Sequence, residues 1–299
     1  MTALILILML LFVLFCEELY RYIFCKNSSR LFERLFDSHG HEPAYYAYRE
    51  AGKKTMQSLP QQVFTMDSAR GAALKGFYYP LGSEGKTIAF VVHGYRSDHA
   101  DTGGIACDYY ESRGIDIFAP DHTAEGESEG HFIGFDVLEY RDCLRWIDFL
   151  REKFGPEVKI ILHGFSMGAA TVMQMSSHCP ENVKFIVEDS GYENAYASMH
   201  HQIGPFYHVM RPVNRLVARY DWNDSDVKES LENSRLPMLF VHGRDDKLVP
   251  FCNGPKLYGL YPGEKDCFFP EKTRHIEAFY TCPEEYAGKL DAFIGKYLH

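Results

Sequence analysis

Apolar positions along most of this chain come in short blocks. The runs "KTIAFVVHG" (86–94), "GIDIFAPD" (114–121), "VKIILHG" (158–164), "VKFIVEDS" (183–190) and "PMLFVHG" (237–243) are rich in β-branched side chains. They are apolar at consecutive positions, as strands covered on both faces must be, so they predict a parallel sheet between helical layers. Ahead of them, "QQVFTM" and "ALKGFYYP" flank the turn-like "DSARG" and predict an antiparallel hairpin. Residues 99–113, 134–153 and 168–178 carry helical spacing. In the second of these, Val137, Leu138, Leu144, Trp146, Ile147 and Leu150 gather on one side, while Glu139, Arg141, Asp142 and Arg145 can face water. The ending "PEEYAGKLDAFIGKYLH" predicts a closing amphipathic helix. Strands alternating with helices in this way predict an α/β fold with a doubly wound, mostly parallel sheet.

Two intervals break the rhythm. Between Gly191 and Arg235 no strong strand occurs over about 45 residues, more than a simple crossover needs, so a small helical cap inserted at 191–235 is expected. Its Tyr192, Tyr196, Met199, Phe206, Tyr207 and Met210 could line a pocket or simply pack the cap onto the sheet edge. The other interval is the start, "MTALILILMLLFVLFC", apolar from Ala3 to Cys16. Sixteen helical residues span about 24 Å, short of a bilayer core of about 30 Å, but "EELYRYIFCK" could extend them with Tyr20 and Tyr22 at the interface. A cleaved signal peptide fits poorly, since there is no basic flank before the apolar run and no small-x-small exit. Bulky Phe15 before Cys16 also tells against a lipoprotein signal. The segment therefore predicts a membrane anchor over 1–26, in preference to a buried N-terminal helix. Arg21, Lys26 and Arg30 all follow it, which places the main domain on the cytoplasmic side. A helical lead-in over 27–60 then leads to a domain at 61–299.

Composition narrows the classes. The chain has 299 residues, 46% of them hydrophobic, enough for one large α/β domain with a full core. A formal net charge of −10 with no basic stripe argues against a nucleic-acid partner. The eight cysteines show no C-x-x-C pairing and predict reduced, mostly buried thiols rather than a zinc or redox site. His200, His201 and His208 lie close together, but no carboxylate or cysteine stands at matching spacing, so no metal is expected.

The chemistry concentrates in "KIILHGFSMGAAT" (159–171). A strand here gives way to a helix with Ser166 at the junction and glycines two places to either side. A strand that turns this sharply forces its apical residue into strained dihedrals, with Oγ above the sheet and no room for side chains at 164 and 168. Gly164, Ser166 and Gly168 thus form a nucleophile elbow. A serine hydroxyl needs a base, and the base an orienting carboxylate, each on a loop after a later strand. The loop after "MLFV" offers Asp245 and Asp246, and "KTRHIEAF" offers His275. The order serine, aspartate, histidine is satisfied. The backbone N–H of Met167 supplies one donor for a tetrahedral oxyanion, a contribution of several kcal/mol. His93, His163 and His242 each precede a glycine at a strand end and read as histidines satisfied by hydrogen bonds there.

The stretches "VVHGY", "GFSMGAA", "VHGRDDKLVP" and "RH" resemble the α/β-hydrolase superfamily over about 61–299. Within it the chain is similar to bacterial serine hydrolases related to prolyl-oligopeptidase-type peptidases and to cinnamoyl or feruloyl esterases. The resemblance implies that the acid is Asp246 rather than Asp245, by the spacing of His242-Gly243-x-x-Asp246-x-x-Val249-Pro250. It implies that Tyr95 supplies the second oxyanion N–H, and that no cofactor is needed. One stretch departs: "PDHTAEGESEG" (120–130) has Thr123 and Glu125 where relatives tend to carry arginine and histidine. That puts bracing of this loop in doubt. Glu125, Glu127 and Glu129 are also expected to place negative charge near one rim of the site.

These observations predict a hydrolase of carboxylic esters, with Ser166 as nucleophile, His275 as base and Asp246 as acid. Its substrate partner is a small-molecule ester or peptide-like compound. A peptidase or amidase, or a lipase or thioesterase, would use the same residues. A non-catalytic scaffold on the same fold is the alternative from another class.

Overall fold

The computed structural model describes residues 2–26 and 41–298. Eight strands form one sheet: β1 (Gln62–Asp67), β2 (Ala73–Tyr79), β3 (Thr87–Val92), β4 (Asp116–Pro120), β5 (Lys159–Phe165), β6 (Val183–Asp189), β7 (Met238–Val241) and β8 (Lys265–Phe268). Their order is β1-β2-β4-β3-β5-β6-β7-β8. β1, β2 and β4 pair antiparallel and β4-β3-β5-β6-β7-β8 parallel. This is the α/β-hydrolase arrangement, with the hairpin at one edge.

The longer helices are α1 (Thr2–Phe24), α2 (Pro43–Ser58), α3 (Glu139–Phe154), α4 (Met167–Met175), α5 (Ala195–Ile203), α6 (Tyr207–Val217), α7 (Val227–Asn233), α8 (Asn253–Leu260) and α9 (Pro283–Tyr297). Residues 99–113 wind through short 3₁₀, α and π turns instead of one regular helix. Alternate strand residues feed two cores, as a period of two requires. Ile88, Phe90, Ile160 and Leu162 face Trp146, Ile147 and Leu150 of α3. Ala89, Val91, Ile161 and Val187 face Tyr109, Tyr110 and, from α9, Leu290 and Phe293. Continuous apolar strands are therefore what a sheet with two covered faces demands.

The interval 191–235 carries α5, α6 and α7. Its Tyr192, Met199, Tyr207 and Met210 are buried in the main core, where packing accounts for them, while Tyr196 is exposed. All eight cysteines are free, but only Cys107 and Cys143 are fully buried and Cys252 is exposed, so "mostly buried" does not hold. Of the expected lead-in over 27–60, residues 27–40 lie outside the described residues.

The expected membrane anchor is corrected. Among the described residues no helix is long and apolar enough to cross a membrane. The apolar run closes at Cys16, and sixteen residues reach only about 24 Å. Glu17 and Glu18 follow. The turns that would have lengthened the span are part of the protein interior instead. Tyr20, Ile23 and Phe24 are buried, Phe24 stacks on Trp222 at 4.6 Å, and the Tyr20 hydroxyl donates to Asn214 Oδ1 at 2.9 Å. With the anchor go the membrane partner and the cytoplasmic orientation inferred from it. Only the first half of α1, Leu4–Phe15, keeps its apolar side chains exposed.

Candidate functional site

Ser166 sits between β5 and α4 with φ 53° and ψ −115°, a conformation that costs a non-glycine residue about 1–3 kcal/mol. Both flanking glycines are required by close backbone approach. A Cβ on Gly164 would lie 2.2 Å from the Gly168 carbonyl oxygen, and one on Gly168 would lie 2.2 Å from that of Val92. Either methyl would push α4 off the sheet. The Ser166 N–H donates to the Asp189 carbonyl at 2.8 Å and its own carbonyl accepts from Ala170, so the bend is pinned on both sides.

Ser166 Oγ lies 2.8 Å from His275 Nε2, and His275 Nδ1 lies 2.7 Å from Asp246 Oδ2. His275 and Asp246 are buried and Ser166 is half-buried. Asp246 Oδ1 accepts from the N–H groups of Leu248 (3.0 Å) and Val249 (2.9 Å). Burial works against ionisation of Asp246, but the charge of His275 and hydrogen bonds from His242 and His275 outweigh it. The carboxyl is held well below the usual carboxylate range. Asp245, the neighbouring candidate, is exposed.

The three His-Gly histidines each hydrogen-bond at a strand end, although the buried Nδ1 of His242 has no partner among the described residues, and two of them do more than that. His242 Nε2 lies 2.9 Å from the Val249 carbonyl oxygen and 3.3 Å from Asp246 Oδ2. Both neighbours accept, so Nε2 carries the proton and Asp246 has a second imidazole donor. The His93 ring accepts the His122 N–H at Nε2 (3.1 Å), which leaves Nδ1 to donate to the Gly94 carbonyl at 2.8 Å. That carbonyl belongs to the peptide whose N–H is Tyr95's, so His93 fixes the plane of the peptide. His163 bridges the hydroxyls of Tyr110 (2.8 Å) and Tyr286 (3.0 Å), and burial pushes its pKa down to about 3. The part of His242 left a trace in the sequence, the four-residue spacing to Asp246. The part of His93 left none, because it depends on which ring nitrogen another strand's loop occupies.

The loop after β3 passes directly over the serine: a Cβ on Gly94 would lie 3.3 Å from Ser166 Cβ. The N–H of Met167 begins α4, where backbone donors have no partner within the helix. The Tyr95 side chain does not face a substrate. Its hydroxyl donates to the Ile23 carbonyl at 2.8 Å and its ring packs on Phe135 at 5.0 Å.

The loop whose bracing was in doubt is held in another way. Thr123 Oγ1 donates to Asp142 Oδ2 at 3.2 Å, and the Glu125 carboxyl accepts the Arg96 N–H. Glu125 is buried, and burial together with the nearby Glu139 charge raises its pKa well above the carboxylate range. It is therefore no rim charge, and only Glu127 and Glu129 are exposed. Among the described residues no group of three His, Cys, Asp or Glu side chains could hold a metal ion.

Residues 83–220 match the family model described as serine aminopeptidase, S33. The chain is similar to uncharacterized protein YqkD of Bacillus subtilis, at 20% identity over 250 residues that cover 81% of each chain. It is similar to uncharacterized protein YfhR of Salmonella typhi, at 27% identity over 236 residues, 72% of this chain and 74% of that one. Among solved structures it superposes on the Pyrococcus furiosus esterase Pf2001 with a TM-score of 0.66 and 19% identity, over 82% of this chain and 93% of that one.

Proposed function

We propose that this chain, which has the α/β-hydrolase fold, hydrolyses carboxylic esters through an acyl-enzyme on Ser166. The observation that carries the reading is the unbroken line Ser166 Oγ, His275, Asp246, with contacts of 2.8 and 2.7 Å. His275 Nε2 removes the hydroxyl proton as Oγ attacks the ester carbonyl. Asp246 holds Nδ1–H, fixes the tautomer and stabilises the imidazolium that forms. The N–H groups of Met167 and Tyr95 receive the developing oxyanion. His275 then protonates the leaving alcohol, and in the second half it activates the water that releases the acid.

The likeness to an esterase favours ester substrates, and the ordinary elbow chemistry needs nothing further. A second reading, a peptidase acting on amide bonds, is favoured by the family model's description. The same His275 would protonate the leaving nitrogen. Two measurements separate these readings. A fluorophosphonate probe is expected to label Ser166 in the folded protein and not in S166A, and absence of an adduct rejects a serine enzyme. Turnover of p-nitrophenyl esters of rising chain length is then compared with that of aminoacyl anilides. Higher kcat/KM on the anilides overturns the esterase reading.

A further inference from the structure

The last turn of α1 meets the loop that carries the proposed oxyanion donor, and it does so through backbone groups. A helix ends with carbonyls that have no partner of their own. In α1 these are capped from the catalytic domain. The Tyr22 carbonyl accepts from the Arg96 guanidinium, the Ile23 carbonyl from the Tyr95 hydroxyl (2.8 Å) and the Phe24 carbonyl from the Ile133 N–H (2.9 Å). Arg96 reaches further along the same end, to the Cys25 carbonyl at 3.5 Å, and its guanidinium lies 5.0 Å from the centre of the Tyr22 ring. A cation at a helix C-terminus is also favoured by the helix dipole.

Arg96 holds the loop as well as the helix. Its Nε donates to the Tyr95 hydroxyl at 2.9 Å, and its own N–H donates to the Glu125 carboxyl. It does this with φ 52°, a left-handed conformation uncommon for a residue with a side chain. The residue immediately after the oxyanion donor is thus strained and tied at both its main-chain N–H and its guanidinium. Such strain persists where surrounding contacts over-determine it, and here those contacts come from α1 and from the loop after β4.

We propose that Arg96 is a positioning residue for the Tyr95 N–H: together with the Tyr95 hydroxyl it clips the oxyanion loop onto the C-terminal turn of α1, so that efficient turnover requires that helix to be docked. The inference rests on the ester-hydrolase reading of Ser166. The N-terminal helix then becomes part of the active-site scaffold, and its contribution is made in the transition state, where the oxyanion forms, rather than in ground-state binding.

The test uses the full chain and a p-nitrophenyl ester, with kcat and KM measured for wild type, R96A, R96K and Y95F, and folding followed by thermal unfolding. Misplacing one oxyanion donor by a fraction of an ångström to an ångström costs up to about a hundredfold. R96A is therefore expected to lose about tenfold to a hundredfold in kcat with KM near wild type, and added guanidinium ion to restore part of that loss. Y95F keeps the backbone donor but cuts the link to Ile23, so it should lose kcat in the same way without responding to guanidinium. If R96A does not fold, R96K and Y95F decide. Lysine keeps the charge but cannot hold the Tyr95 hydroxyl and two carbonyls together. Unchanged kcat in folded variants, or a change confined to KM or to melting temperature, overturns the inference and leaves the Ser166 reading intact. A wild-type protein that neither turns over ester or anilide nor labels at Ser166 overturns both.

Discussion

The two flanks of Ser166 are built in opposite ways. On the histidine flank, side chains touch one another in a line, and the supports of the proposed acid are close in sequence. Asp246 is held by N–H groups two and three residues on and by His242 four residues before it. On the proposed oxyanion flank the donors are backbone N–H groups. Apart from His93, what fixes Tyr95 and Arg96 lies further along the chain: Ile23 and Tyr22 in α1, Phe135 beyond β4, and Glu125 in the β4 loop. The difference teaches that proton transfer can be organised by a short-range cluster of charge. A backbone donor, which has no side chain to lock, must be aimed by everything packed around its peptide.

The hardest blow falls on the histidine flank. D246N preserves shape but removes the charge that fixes the His275 tautomer, and is expected to lower kcat about 10⁴-fold. D245N, altering an exposed carboxylate one position away, should leave kcat near wild type. Equal losses in a steady-state ester assay would break the assignment of roles along this flank.

A milder change asks how well each flank is braced. The His275 loop is also held from α2: the Tyr45 hydroxyl donates to the Ile276 carbonyl at 3.0 Å, and His41 Nδ1 lies 2.6 Å from Glu277 Oε1. The Ile276 N–H donates to Ser190 Oγ as well, at 3.2 Å. With several ties in parallel, Y45F should cost only about threefold in kcat, roughly the worth of one neutral hydrogen bond. That is less than Y95F costs on the other flank. The reverse order in matched assays would show that the histidine flank, not the oxyanion flank, depends on remote support.

The smallest effect is one of slope. Because Asp246 is held well below the ordinary carboxylate range, it stays ionised as pH falls through the histidine region. A carboxyl held down in this way takes up its proton only at a pH below that at which a free carboxylate does, so Asp246 adds nothing to the slope above that range. The acid limb of log kcat/KM is expected to rise with a slope of one. A slope of two, measured on the wild-type protein, would mean that the acid titrates together with the base.

The strands, the hairpin and the flanking helices were legible because a sheet covered on both faces needs continuous apolar runs, and Ile160–Leu162 or Phe90–Val92 have little other use. Residues 99–113 kept only the helical spacing. Their break into short turns comes with packing that spacing does not encode, such as Gly103 against Gly52, where a Cβ would lie 2.2 Å from the Gly52 carbonyl oxygen. The start of the chain shows the same limit. An apolar run reads alike whether it meets lipid or protein, and Tyr20, Ile23 and Phe24 turned out to have partners inside the domain.

By itself the sequence determined the elbow, since a serine between glycines at a strand-to-helix bend follows from local sterics. It also determined the alternation that makes the sheet, and the chain order in which the proposed serine, acid and histidine follow one another. Tertiary structure alone decided the rest. It showed which carboxylate of the pair is buried against the imidazole, that Glu125 is buried rather than at the rim, and that the end of α1 is capped by the loop over the serine. Those outcomes depend on partners apart in the chain, from 29 residues for Asp246 with His275 and Arg96 with Glu125 to 72 for Tyr95 with Ile23, and a backbone carbonyl that accepts a hydrogen bond leaves no mark on residue type.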